Sequence, residues 1–157
     1  MELNRRTFVT ALTASLSIGA LAVAVRGVVG VASAKAAEVS VWKSASCGCC
    51  EGWVRHMRDA GYSVTVHELD EVDPVKDRLG VPAALRSCHT AVVDGYILEG
   101  HVPADSIARL LRERPSAKGL AVPGMPQGAP GMETGVKEPY AVVLFGVPAG
   151  STVYEQR

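Results

Sequence analysis

Apolar and polar residues alternate over several short stretches of the chain, and between them the apolar spacing widens to that of a helix. Glu38 to Lys43 alternates Val39 and Val41 with polar neighbours, followed by Trp42, and predicts a first strand. Ser44-Ala45-Ser46 reads as a turn, with Ser46 a fair N-cap for the helix that follows. From Cys49 to Ala60, Cys49, Trp53, Val54 and Met57 share one face, while Glu51, Arg55, Arg58 and Asp59 lie elsewhere; Gly61 ends the helix. Tyr62 to Leu69 alternates again as a second strand. Asp73-Pro74 opens a short helix through Leu79, closed by Gly80, and Pro82 begins another turn or short helix. Thr90 to Val93 and Tyr96 to Glu99 predict a hairpin about the two-residue turn Asp94-Gly95. Pro103 starts a helix through Arg114 whose apolar face is Ile107, Leu110 and Leu111.

That order is β-α-β, a short helical link, a β-hairpin and a helix. It suits an α/β, thioredoxin-like domain in which a parallel βαβ half is joined to an antiparallel ββα half. Pro115 to Pro139 then shifts to glycine and proline with Met125 and Met132 embedded, a loop of about two dozen residues, a length that is usually functional or disordered. Tyr140 to Phe145 and Thr152 to Tyr154 read as a C-terminal strand pair joined by a Pro-Ala-Gly turn.

The first 36 residues follow a different pattern. Asn4-Arg5-Arg6-Thr7-Phe8 precedes a small-residue apolar run from Val9 to Val25, and Ala34-Lys35-Ala36 offers an A-x-A cleavage site. This is an export signal, and the paired arginines suggest the twin-arginine route; Sec export and an uncleaved anchor are the alternatives. Residues 37–157 then form a single periplasmic domain with no stable membrane insertion after cleavage. The signal holds four basic residues against one acidic, so the mature chain carries 12 basic and 15 acidic residues, a net charge of −3. The whole chain has zero formal charge and 5% aromatic residues, which gives no footing for nucleic acid.

All four cysteines fall in the mature part. Cys47, Cys49 and Cys50 crowd the start of the first helix, and Cys88 stands beside His89 just before the third strand. In the expected topology the first helix starts, the third strand starts and the fourth strand ends at one end of the sheet. Cys47, Cys49, Cys50, Cys88, His89 and His101 would therefore share that end. Thiols at a helix N-terminus face unsatisfied N–H groups and a positive dipole, so their thiolates are favoured as ligands or nucleophiles. Cys47 and Cys50 have the spacing of a redox dithiol. Cys49 adds a third thiol, however, and Cys88-His89-Thr90 stands where such an enzyme would carry a proline. An exported chain with four cysteines also leaves open a disulfide, Cys47–Cys50 or one to Cys88.

Thiolate, imidazole and thioether ligands select Cu(I), Zn(II) or an iron–sulfur cluster. Three crowded thiols plus one suit a structural zinc finger poorly. They can bridge several Cu(I) ions, so more than one copper per chain is expected, with Met125 and Met132 as thioether candidates. His56 and His67 read as solvated.

Several stretches together resemble the small exported CopG-type copper-resistance proteins, a thioredoxin-like family often labelled only as metal-binding proteins of unknown function. They are Trp42-Lys43-Ser44 leading into Cys47-Gly48-Cys49-Cys50, Ser87-Cys88-His89-Thr90-Ala91-Val92-Val93-Asp94-Gly95-Tyr96, Glu99-Gly100-His101-Val102-Pro103, and Gly119-Leu120-Ala121-Val122-Pro123-Gly124-Met125-Pro126 with Pro130-Gly131-Met132-Glu133. The resemblance covers essentially the whole mature chain. It implies periplasmic residence and copper handling by the cysteines. The reading from sequence is therefore a copper-binding protein that sequesters, transfers or redox-processes Cu(I) for copper resistance, a handling protein more than an enzyme, with copper ions and other envelope copper-handling proteins as partners. A thiol–disulfide oxidoreductase and a thioredoxin-like iron–sulfur electron carrier are the competing readings.

Overall fold

The computed structural model describes residues 37–157. The export signal expected in 1–36 lies outside the described residues. Among the described residues no helix is long and apolar enough to cross a membrane.

Among the described residues, seven strands form one sheet in the order β2-β1-β3-β4-β5-β6-β7. In chain order the elements are β1 (Glu38–Lys43), α1 (Gly48–Asp59), β2 (Ser63–Glu68), α2 (Asp73–Leu79), a 3-10 turn (Ala83–Leu85), β3 (Thr90–Val93), β4 (Tyr96–Glu99), α3 (Ala104–Glu113), β5 (Gly119–Ala121), β6 (Ala141–Val147) and β7 (Gly150–Gln156). β1 pairs parallel with β2 across the α1 crossover and antiparallel with β3, and β3 pairs antiparallel with β4. This is the βαβ-plus-ββα pattern expected from the alternation. At the β3–β4 turn, Asp94 (φ 49°) and Gly95 (φ 86°) both take positive φ, as a tight two-residue hairpin requires.

Alternation along the strands sorts the core onto two faces. Ala91, Val93 and Leu98 join Trp53, Val54 and Met57 of α1 and Ile107 and Leu110 of α3 on one face. Val92 and Ile97 point the other way, where Leu79, Val81, Leu85 and Phe145 cover them. Burying both faces makes Ala91-Val92-Val93 of β3 and Ile97-Leu98 of β4 continuous apolar runs and fixes their register.

Three local expectations are corrected. Ser46 does not cap α1: Cys47 precedes the helix without a side-chain cap, and the Ser46 hydroxyl bonds Ser44 Oγ at 3.1 Å instead. The buried face of α1 begins at Cys50, in step with Trp53, Val54 and Met57 at i+3, i+4 and i+7, while Cys49 is half-exposed. The Gly/Pro/Met stretch is not all loop. Gly119–Ala121 forms β5, parallel to β4 and antiparallel to β6, and so joins the C-terminal pair to the main sheet. Three buried residues, Gly-Leu-Ala, are too short and too small to show a strand period.

Candidate metal centre

α1 starts, β3 starts and β4 ends at the same end of the sheet, and there the cysteines meet. Cys47 and Cys50 are joined in a disulfide; Cys49 and Cys88 are free thiols. The sulfur atoms form a continuous row. Cys49 Sγ is 3.6 Å from Cys47 Sγ and 3.9 Å from Cys88 Sγ. Cys88 Sγ in turn lies 3.3 Å from His89 Nδ1 and 3.1 Å from His101 Nε2. Two donor groups result, Cys47/Cys49/Cys50/Cys88 and Cys88/His89/His101, with ligand atoms within 4.8 Å of one another in each. Cys88 belongs to both.

The imidazoles are set by their surroundings. His101 Nδ1 lies 2.7 Å from the Pro130 carbonyl oxygen, an acceptor only, so Nδ1 carries the proton and Nε2 turns a lone pair toward Cys88. His89 is fully buried against Trp53, with ring centroids 4.6 Å apart, and meets His101 edge-on at 5.0 Å. Its Nε2 is a buried polar atom with no hydrogen-bond partner. Burial, and then the neighbouring His101 and Lys76, push the His89 pKa well below its usual value; burial also lowers that of His101. Both rings are therefore neutral, as a metal ligand must be. Burial, then the Cys49 sulfur, pushes the Cys88 thiol up to about 12, so Cys88 holds its proton until something displaces it.

The long loop closes this end of the molecule. The Gly124 carbonyl accepts a hydrogen bond from Ser87 Oγ, and Gly131 packs on the first turns of α1, where a Cβ would stand 2.6 Å from both Cys49 O and Trp53 N. Trp53 Nε1 donates to Val102 O at 2.8 Å and ties α1 to the segment carrying His101. The loop backbone thus meets the site beside Met125 and beside Met132. The Met125 side chain is 53% exposed and Met132 is half-buried.

Two histidines outside the centre differ from each other. His67 is exposed and stacks on Trp42 with centroids 5.2 Å apart. His56, expected to be solvated, is half-buried, and its Nε2 accepts a hydrogen bond from Ala104 N at 3.0 Å at the start of α3. Sequence reasoning missed Glu99 and Lys76, a buried ion pair at 2.6 Å behind Cys88. A lone acid in the apolar run Tyr96-Ile97-Leu98-Glu99, both of whose faces are covered, was the available signal. It also missed the Pro130 carbonyl, which as a backbone atom leaves no trace in residue type.

An α/β domain that gathers four cysteine sulfurs and two neutral imidazoles at one end of its sheet is a protein of soft-metal or thiol chemistry. A family described as protein of unknown function, DUF411, matches residues 85–132. No curated protein matches the chain. Two solved structures are similar to it, both of copper resistance protein CopG. Form 2 is 44% identical, over 78% of this chain and 98% of the other, with a TM-score of 0.73. Form 1 is 45% identical, over 76% and 96%, with a TM-score of 0.71. The chain belongs to the CopG family of copper resistance proteins. The family and the cysteine/histidine cluster together point to copper handling.

Proposed function

We propose that the protein is exported to the periplasm, binds Cu(I) there and passes it to other copper-handling proteins of the cell envelope. The observation that carries this reading is the sharing of Cys88 between an all-sulfur group and a sulfur-plus-imidazole group. A thiolate common to two donor groups can bridge metal ions, so the reduced protein is read as taking more than one copper per chain. Soft sulfur with neutral imidazole suits Cu(I), and each bound thiol gives up its proton on loading. His101 is oriented by Pro130, and Trp53 and the loop keep water from His89. With Cys47 and Cys50 oxidised, the set shrinks to Cys49, Cys88, His89 and His101; two electrons and two protons restore the two thiols. The methionine sulfurs serve arrival and departure of the ion.

The test is Cu(I) titration of the reduced, anaerobic mature protein against a chromophoric chelator. The wild type is expected to take more than one copper. Cys88→Ser should lose more than Cys47→Ser or Cys50→Ser, because it strips both groups. Equal losses in the three variants, or a stoichiometry unchanged by Cys88→Ser, would refute the bridging role. Export is tested by periplasmic fractionation, with a mature N-terminus at Ala37 expected.

The Cys47–Cys50 disulfide favours one second reading, a thiol–disulfide oxidoreductase of the envelope. Insulin reduction by metal-free protein, lost in Cys47→Ser and kept in Cys49→Ser, would establish it.

A further inference from the structure

We infer that the buried Glu99 carboxylate, balanced by Lys76, is the positioning group that holds Cys88 and His89 against His101. The inference deepens the copper reading and rests on it for its metal arm. Glu99 ends β4 and is fully buried. Its Oε1 accepts hydrogen bonds from Ser87 N at 2.6 Å and from Lys76 Nζ at 2.6 Å. Its Oε2 accepts from the Thr90 hydroxyl, which also accepts from Lys76 Nζ at 2.8 Å. Ser87 and Thr90 bracket Cys88-His89, so one carboxylate grips the segment on both sides of its two donors.

The same carboxylate sits two residues before His101. Between them Gly100 adopts φ 70° and donates its N–H to His89 O at 3.0 Å. A Cβ on Gly100 would stand 2.6 Å from Ser87 Cβ, so the two segments approach as closely as backbone allows. Glu99 therefore fixes the joint across which Cys88 Sγ faces His101 Nε2. No proline stiffens Ser87-Cys88-His89-Thr90, and its conformation depends on these bonds. A buried ion pair is seldom needed for stability alone, since apolar residues of similar volume often serve as well. Here every hydrogen bond that the Glu99 carboxylate makes leads to the donor-bearing segment or to the lysine that balances its charge.

Two double variants separate tethering from charge. Lys76→Met/Glu99→Gln removes both charges, but the amide can still accept from Ser87 N and donate to Thr90 Oγ1. Lys76→Met/Glu99→Leu removes both charges and the tether. In metal-free protein, Cys88 alkylation mapped by mass spectrometry should rise about tenfold in the leucine variant and stay near wild type in the glutamine variant. Cu(I) affinity should fall about 10- to 100-fold in the leucine variant and be largely rescued in the glutamine variant. Equal labelling of Cys88 in the two variants, whether fast or slow, would overturn the inference. Should the leucine variant not fold, Thr90→Val removes the hydroxyl that bonds Oε2 and accepts from Lys76, and leaves the Lys76–Glu99 pair and the Ser87 bond in place; Cys88 labelling must rise there too, and unchanged labelling overturns it equally. The labelling arm contains no metal. A wild type that binds no copper would sink the copper reading and leave the tether to be judged on labelling.

Discussion

Gly52 lies inside α1, where alanine should ordinarily help: in a helix interior it is favoured over glycine by about 1 kcal/mol. The structure predicts the reverse. A Cβ on Gly52 would stand 2.7 Å from Gly131 Cα, 3.2 Å from Gly131 O and 3.4 Å from Gly131 C, all backbone atoms of the long loop. No flexible side chain can swing away, so either the helix or the loop must shift. Overpacking of this kind costs about 1–3 kcal/mol, which cancels the propensity gain and leaves Gly52→Ala neutral to about 2 kcal/mol less stable. Gly48, in the first turn of the same helix, supplies the control: a Cβ there meets nothing within 4 Å. Gly48→Ala should be neutral or slightly stabilising, so the difference between the variants isolates the clash. Thermal melts of metal-free, disulfide-bonded protein should separate the two midpoints by several degrees, about 3–6 °C per kcal/mol for a domain of this size. The loop itself gives a second readout. If it lifts from α1, the Pro130 carbonyl leaves His101 Nδ1, the ring loses its fixed tautomer, and nitrogen chemical shifts report the mixture. Gly52→Ala raising the midpoint as much as Gly48→Ala, with His101 unchanged, would show that the loop does not rest on α1.

Three further outcomes follow from the same geometry. In metal-free protein with Cys47–Cys50 oxidised, iodoacetamide at pH 8 should label Cys49 and leave Cys88 largely unmodified, because the Cys88 thiol is pushed up to about 12; labelling of both at similar rates refutes this. Since Cys88 must lose that proton to bind a metal, while His89 and His101 are already neutral, Cu(I) affinity at this group should rise with pH across the neutral range, by up to about tenfold per unit for the one proton. A pH-independent affinity between 6 and 8 would exclude Cys88 as a thiolate ligand. Trp53→Phe, which leaves Val102 O without its buried donor and a gap beside His89, should cost about 2–3 kcal/mol in denaturant melts, and a loss below about 0.5 kcal/mol would contradict the packing.

The sequence made the first four strands legible because each is long enough to alternate and each break carries a punctuating glycine, proline or aspartate. Cys88 and His101 could be carried to Cys49 on topology alone, since one hairpin and one crossover decide which strand ends lie together. β5 escaped because Gly119 must be a glycine where its backbone approaches β4, and a glycine has no place in a periodic pattern. His56 escaped for another reason. On α1 it occupies a polar position, and only the tertiary placement of α3 brings Ala104 N to its Nε2. Glu99 is the most instructive miss. Strand period assigns it to a covered face, which ordinarily excludes a carboxylate. The exception is resolved only when Lys76, 23 residues earlier, is seen to reach it.

The disulfide divides the centre unequally, and this bears on which part is permanent. Cys47 and Cys50 stand within one helical turn and can leave the donor set together, as they do here. Cys88, His89 and His101 come from the β3 and β4 ends and remain free and facing one another while that disulfide is formed. Cys49 touches both sides, 3.6 Å from Cys47 Sγ and 3.9 Å from Cys88 Sγ. The redox-variable half is half-exposed at Cys47, where an incoming thiol can reach it, whereas both imidazoles of the invariant half are buried behind Trp53 and Pro130. On the copper reading proposed above, an ion on the Cys88/His89/His101 side would keep both imidazole donors whatever the state of Cys47 and Cys50, whereas one on the other side would lose two thiolate donors when they oxidise. Of the three thiols in the Cys-x-Cys-Cys cluster Cys49 alone is free here, and it lies within reach of Cys88, so on that reading it would join the two sides of the centre.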